Sequence, residues 1–156
     1  MKAKRSPHKS FLYKEGQLNE DFEAGFKGRD WENPVRVIKD LDLMADFRKD
    51  RVQVEVQFGN AARLYADVMK FQLAFLQDQI DLGVEILPTN EFAKKMNSNL
   101  ANYERAVREI DRFTMAITMP IWIVGIEPEG GHPHGDAEKA KDWTAKPHKE
   151  PTLDAS

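Results

Sequence analysis

The plainest pattern along the chain is an alternation, in which Val52, Val54, Val56 and Phe58 interleave with Arg51, Gln53, Glu55 and Gln57. A period of two belongs to a β-strand, so the valines go to one face and the polar residues to the other. Gly59 ends the strand, and Asn60 offers a side-chain oxygen for a helix N-cap. Leu64, Val68, Phe71 and Phe75, supported by Tyr65 and Met69, then recur at helical spacing to about Gln79. Upstream, Leu18, Phe22 and Phe26 predict a short amphipathic helix that Gly28 breaks. Residues 35–47, with Val35, Val37, Leu41 and Leu43 spaced by twos, predict a partly buried strand interrupted in charge by Asp40 and Asp42. The polar stretch 48–51 is short enough for a hairpin turn. Downstream, residues 82–87 predict a strand closed by Pro88, and Thr89 or Asn90 caps a short helix through Met96. Leu100, Tyr103, Val107 and Ile110 mark a further helix ending near Phe113, and residues 120–126 read as a third buried strand with Trp122 in the core. Two hairpin strands followed by helix, strand, helix and strand make an α/β class, a mixed β-sheet flanked by helices.

Composition sets the frame around this pattern. A chain of 156 residues suits one domain, and an apolar content of 41% with three Trp and nine Phe excludes wholesale disorder. Residues 1–14, with Lys2, Lys4, Arg5, Lys9, Lys14 and Pro7, are expected to form a basic flexible arm, residues 15–128 the folded domain, and residues 129–156, rich in Gly, Pro and charge, a disordered tail. The basic start leads into Ser6-Pro7-His8 and no apolar signal core, so export is not expected. The absence of cysteine removes disulfides, thiolate catalysis and sulfur-based zinc sites, and suits a cytoplasmic protein. A net charge of -3 argues against a protein that coats DNA passively, although a nuclease needs carboxylates at its site and only one basic face.

Candidate chemistry gathers around the alternating strand. Glu55 and Gln57 share the face opposite the valines. With the turn centred between Lys49 and Asp50, position 46 lies opposite 53, which puts Asp46 on that same face, diagonal to Glu55. Two carboxylates and an amide oxygen at one sheet edge are the donors a hard divalent cation takes, and like charges held together are costly without a cation or a proton. A plainer reading stands beside this one: Gln53, Glu55 and Gln57 as the solvated face of an amphipathic hairpin.

The segment 45–60, Ala-Asp-Phe-Arg-Lys-Asp-Arg-Val-Gln-Val-Glu-Val-Gln-Phe-Gly-Asn, resembles the catalytic hairpin of the BglII-type restriction endonucleases. The likeness continues through Tyr65-Ala66-Asp67-Val68-Met69-Lys70-Phe71-Gln72 and Asp81-Leu82-Gly83-Val84-Glu85-Ile86-Leu87-Pro88. The usual signature of the wider restriction-endonuclease-like nucleases is an Asp followed by a Glu or Asp, one spacer and a Lys; in the branch that resembles this chain the last position is Gln, as at Gln57. The resemblance implies a restriction-endonuclease-like fold, with Asp46 and Glu55 as ligands of Mg²⁺ and Gln57 holding the attacking water or the scissile phosphate by its amide, or adding its oxygen to the metal shell. It implies a sequence-specific double-stranded DNA endonuclease acting as a homodimer. Ala45 stands where a proline usually precedes the first acidic residue, and Glu32 and Asn33 lie where an additional polar site residue is to be sought. A catalytically silent binding or interaction domain on the same scaffold, and a repair nuclease of the same superfamily, are the alternatives.

Other signals have ordinary readings. His132, His134, Asp136 and His148 sit among Gly and Pro and read as incidental tail residues. Lys94, Lys95, Arg105, Arg108 and Arg112 offer a phosphate-contacting face, yet Glu104, Glu109 and Asp111 interleave with them as on any solvated helix.

Overall fold

A computed structural model describes residues 15–128 apart from Ser98 and Thr114; the arm and tail boundaries proposed above, and His132, His134, Asp136 and His148, lie outside the described residues. The elements run α1 Glu15–Lys27, β1 Val35–Ile38, β2 Leu43–Ala45, β3 Phe47–Lys49, β4 Val52–Val56, α2 Arg63–Leu76, β5 Leu82–Pro88, α3 Asn90–Met96, α4 Tyr103–Ile110, a 3₁₀ turn Asp111–Phe113, and β6 Ile121–Ile126. No helix among the described residues is long and apolar enough to cross a membrane.

One four-stranded sheet has the order β3-β4-β5-β6. The β3–β4 pair is antiparallel, and β4–β5 and β5–β6 are parallel. Each parallel step needs a crossover, which α2 supplies for the first and α3 with α4 for the second. The stretch expected as one strand over residues 35–47 is instead a small hairpin, β1 against β2, with Asp40 and Asp42 in its turn; the same acidic residues that interrupt the apolar pattern terminate the pairing.

Helices cover both sides of the sheet, and this decides the character of the site. On one side α1 places Phe22, Phe26 and the following Trp31 against Phe47, Val54 and Ile86. On the other, Leu64 and Val68 of α2 and Ala106 of α4 pack with Leu87, Ile121 and Ile123. The close approach of α2 is set at Gly83, where an added Cβ would lie 2.8 Å from Cγ of Phe71. Gln53, Glu55 and Gln57 therefore do not form a solvated hairpin face. All three are buried beneath α2.

Two helix starts shift for physical reasons. Asn60 accepts a hydrogen bond from the Ala62 N–H in a turn that precedes the helix, and Ala62 takes the N-cap position without a side-chain bond. Thr89 does cap α3, accepting from the Phe92 N–H, and α4 begins later than Leu100 because Asn102 caps it by accepting from the Arg105 N–H. β6 is an edge strand, so Trp122 is 63% exposed and not in the core as expected.

Candidate active site

The site starts with the hairpin. Phe47 pairs with Val54, Arg48 with Gln53 and Lys49 with Val52, leaving Asp50 and Arg51 as a two-residue turn with Asp50 at φ 52°. This register differs by two residues from the one assumed from sequence, and continuing it sets position 46 directly across from 55 instead of diagonally. Asp46 occupies a bend between β2 and β3, and its Oδ2 accepts the Val56 N–H at 2.9 Å. Asn33 joins it, donating from Nδ2 to the Asp46 carbonyl at 2.9 Å. Glu32, the other upstream candidate, spends its backbone on a bridge to Arg48.

A continuous chain of polar contacts runs from β3 over β4 to α2. Arg48 donates to Gln53 Oε1 at 2.8 Å, and Gln53 donates to Glu55 Oε1 at 3.1 Å. Lys70 Nζ sits 2.5 Å from Glu55 Oε2 and 2.7 Å from Asp67 Oδ1. Gln57 donates from Nε2 to Asp67 Oδ2 at 2.7 Å, and its Oε1 accepts the Gly59 N–H at 2.7 Å. The structure thus brings Asp46, Glu55 and Gln57 to one place. Asp46, Glu55, Gln57, Asn33, Arg63, Asp67 and Lys70 all line a cleft of about 350 Å³ beside α1.

Sequence reading assigned no role to Asp67, Lys70 and Glu85. The first two interrupt the apolar stripe of α2, with Asp67 buried between Leu64 and Phe71. Glu85 is paired in register with Glu55 on the neighbouring parallel strand. It is 0% exposed, and neither of its carboxyl oxygens meets a hydrogen-bond partner among the described residues. Polar residues inside an otherwise apolar period are the signal that could have found all three.

The titration directions follow from this crowding. Burial raises the Glu55 carboxyl to about 8, with the Lys70 ammonium opposing and Asp46 adding to the rise. Burial also raises Asp46, against the pull of the Val56 N–H, and pushes Glu85 well above the carboxylate range with Asp67 and Glu55 contributing. Burial works to lower Lys70, but Glu55 and then Asp67 hold it above its ordinary value. Four carboxyl groups in one desolvated space thus face one embedded ammonium.

A stability consequence has a definite sign. A carboxyl whose folded pKa lies above its unfolded one contributes fully where both forms are protonated, and that contribution is lost as pH rises through the folded value. Without divalent metal, the melting temperature should therefore fall as pH rises from about 5 through about 8, where Glu55 ionises, with the raised Glu85 carboxyl adding to the fall. Glu85→Gln should flatten part of this slope and raise the melting temperature at the alkaline end. Parallel calorimetric profiles for the variant and the parent would show that Glu85 carries no such cost.

A family model described as restriction endonuclease BglII/BglIII matches residues 2–126. The chain belongs to the BglII/BglIII restriction endonuclease family. No curated protein matches it. Among solved structures, restriction endonuclease BglII complexed with a DNA 16-mer superposes with a TM-score of 0.69 at 20% identity, covering 79% of this chain and 60% of that one. Free BglII gives a TM-score of 0.56 at 20% identity, covering 78% and 66%. These likenesses show the fold, a mixed α/β sheet flanked by helices as the sequence pattern predicted, and the chain spans less than two thirds of the length of these BglII chains.

Basic residues weighed as a phosphate-contacting face pair with acidic neighbours, as on a solvated helix. Arg105 pairs with Glu109 and reaches the Tyr65 hydroxyl, Arg108 lies 3.6 Å from Glu109, and Lys94 pairs with Glu91.

Proposed function

We propose that this chain is a type II restriction endonuclease that hydrolyses phosphodiester bonds in double-stranded DNA at a specific site, with Mg²⁺ as cofactor and as a homodimer. The observation that carries the reading is the concentration of carboxylate at the cleft: buried Glu55 and half-buried Asp46 both line it, with the Lys70 ammonium held against Glu55. The family match supplies the class of chemistry, and a palindromic site is most simply met by a two-fold dimer.

The donor set fits the metal in charge and hardness. Among the described residues no three Asp, Glu, His or Cys side chains form a ready metal shell. Mg²⁺ needs no such shell, since it commonly takes one or two carboxylates and completes its coordination with water and substrate phosphate. Asp46 and Glu55 would hold it. When bound, the metal lowers the pKa of a water and offsets charge on the phosphate under attack.

The chain's own residues divide the remaining work. Asn33 and the Val56 N–H fix Asp46 by its carbonyl and its Oδ2. One amide proton of Gln57 is held by Asp67, which leaves the second to hold a water or a phosphate oxygen. Its oxygen, which accepts the Gly59 N–H, keeps a second lone pair that could add to the metal shell. Arg63, exposed at the cleft, supplies positive charge to a chain whose net charge is -3.

The test is incubation of purified protein with supercoiled plasmid in Mg²⁺ and in EDTA, followed by sequencing of the fragment ends. Discrete fragments with one common end sequence, formed only with Mg²⁺, are expected. DNA binding without cutting would make the chain a silent binding module. Cutting governed by branched or damaged structure would make it a repair nuclease.

A further inference from the structure

The strand that carries Glu55 offers no cation of its own, because the polar position two residues on is the neutral amide of Gln57. The nearest fixed positive charge comes from another element. Lys70 projects from the second turn of α2, with a side chain only 12% exposed, and forms part of the cleft wall. Lysine is rarely buried, since removing an ammonium from water costs several kcal/mol unless carboxylates replace the lost hydration. Here Glu55 and Asp67 do so, and they engage two of the three N–H donors of the ammonium. Asp67 is itself tied to Gln57, so the ammonium, the amide and both carboxylates are held as one unit between β4 and α2.

We propose that Lys70 is a catalytic residue of the reaction and that Asp67 is its positioning residue. The inference rests on the nuclease reading above. The third N–H donor of Lys70 contacts a non-bridging oxygen of the phosphate under attack. In the balanced step, the oxygen of a water forms a bond to phosphorus and loses its proton to solvent. The bond from phosphorus to the leaving deoxyribose oxygen breaks, and that oxygen takes up a proton from solvent. Lys70 stays protonated throughout and offsets the added charge on the phosphoryl oxygens, as a preorganised donor in a dry site does most effectively. Asp67, 2.7 Å from the ammonium, keeps it from swinging out of the cleft.

A purely structural lysine, present to neutralise Glu55, makes a different prediction. The deciding experiment compares Lys70→Met, Lys70→Arg and Asp67→Asn with the parent by single-turnover cleavage, by calorimetric titration with Mg²⁺, and by DNA affinity in Ca²⁺ over a range of salt. For Lys70→Met, cleavage should fall about 10³-fold while Mg²⁺ binds as tightly as before or more tightly, because Glu55 loses its competing ammonium. DNA affinity should lose about one unit of salt slope, as expected for one phosphate contact. Lys70→Arg should recover part of the rate, and Asp67→Asn should lower the rate with DNA affinity little changed.

Wild-type cleavage by Lys70→Met, or loss of Mg²⁺ binding in step with loss of cleavage, overturns the proposal. If Lys70→Met does not fold, the same readouts on Lys70→Arg and Asp67→Asn decide it, full activity in both being the contrary result. If the parent binds DNA but does not cut it, the nuclease reading fails by itself. An unchanged salt slope in Lys70→Met, or in Lys70→Arg should the first not fold, would then overturn the phosphate contact independently. A parent that neither cuts nor binds DNA overturns both.

Discussion

Glu55→Gln is expected to lower plasmid cleavage by roughly three orders of magnitude while leaving the metal-free protein as stable as the parent or more so. The variant keeps the shape of a side chain that is 1% exposed and removes only its charge. Losing one partner of a buried ion pair ordinarily destabilises a protein by about 3–5 kcal/mol, because the other charge is stranded. Lys70 is not stranded here, since Asp67 remains 2.7 Å from its Nζ. The substitution brings the buried charge closer to balance, and Glu55 is a group that burial already drives toward its neutral form. Asp46→Ala should differ. It orphans the Val56 N–H and costs about 1–3 kcal/mol on top of the lost activity, so the separation of stability from cleavage is cleaner at Glu55. Plasmid cutting by Glu55→Gln at the parental rate would end the assignment of this carboxylate as a metal ligand.

The sequence disclosed the site only in part, and the reason lies in what a strand's period can and cannot say. Alternation over Val52–Val56 correctly separated Glu55 from the valines. It could not say what would cover the polar face, because that depends on α2 crossing back over the sheet, and the crossing is set by Gly83 against Phe71, far along the chain. Hence a face that reads as solvent-exposed is an interior polar layer. The same blindness hid Lys70 and Asp67: on a helical period they look like defects in an apolar stripe, and only the parallel pairing of β4 with β5 brings that stripe over Glu55.

Register was the other weak link. The stretch Arg48-Lys49-Asp50-Arg51 carries four polar residues and no Asn-Gly or Asp-Gly signal, so nothing in it fixes which two form the turn. The left-handed backbone at Asp50 settles it, and Arg48 and Lys49 become strand residues, Arg48 reaching inward to Gln53. Element order survived these errors because each helix and strand rests on its own local pattern. The hairpin β1–β2 was lost because the spacing by twos continues across its acidic turn.

Val54→Asp should prevent the chain from reaching its folded state. Val54 lies on β4, which has neighbours on both sides in the sheet, is 2% exposed, and packs with Phe47 and Ile86 under the aromatic rings of α1. A carboxylate there would meet no cation: Lys70 and its partners all lie on the opposite face of β4. An uncompensated buried charge costs several kcal/mol even after relaxation, a large share of the roughly 5–15 kcal/mol that holds a domain together. Val54→Ala serves as the control, since it removes only methyl groups and should cost about 1–3 kcal/mol, leaving a folded protein with a lower melting temperature. The two faces of one strand thus respond in opposite ways: Glu55 tolerates loss of its charge, whereas its neighbour cannot accept one. Soluble expression and near-ultraviolet circular dichroism read the outcome. A Val54→Asp variant that is soluble and melts with the parent would mean that the valines face water, and Glu55, Lys70 and Asp67 could then not meet beneath α2 as described.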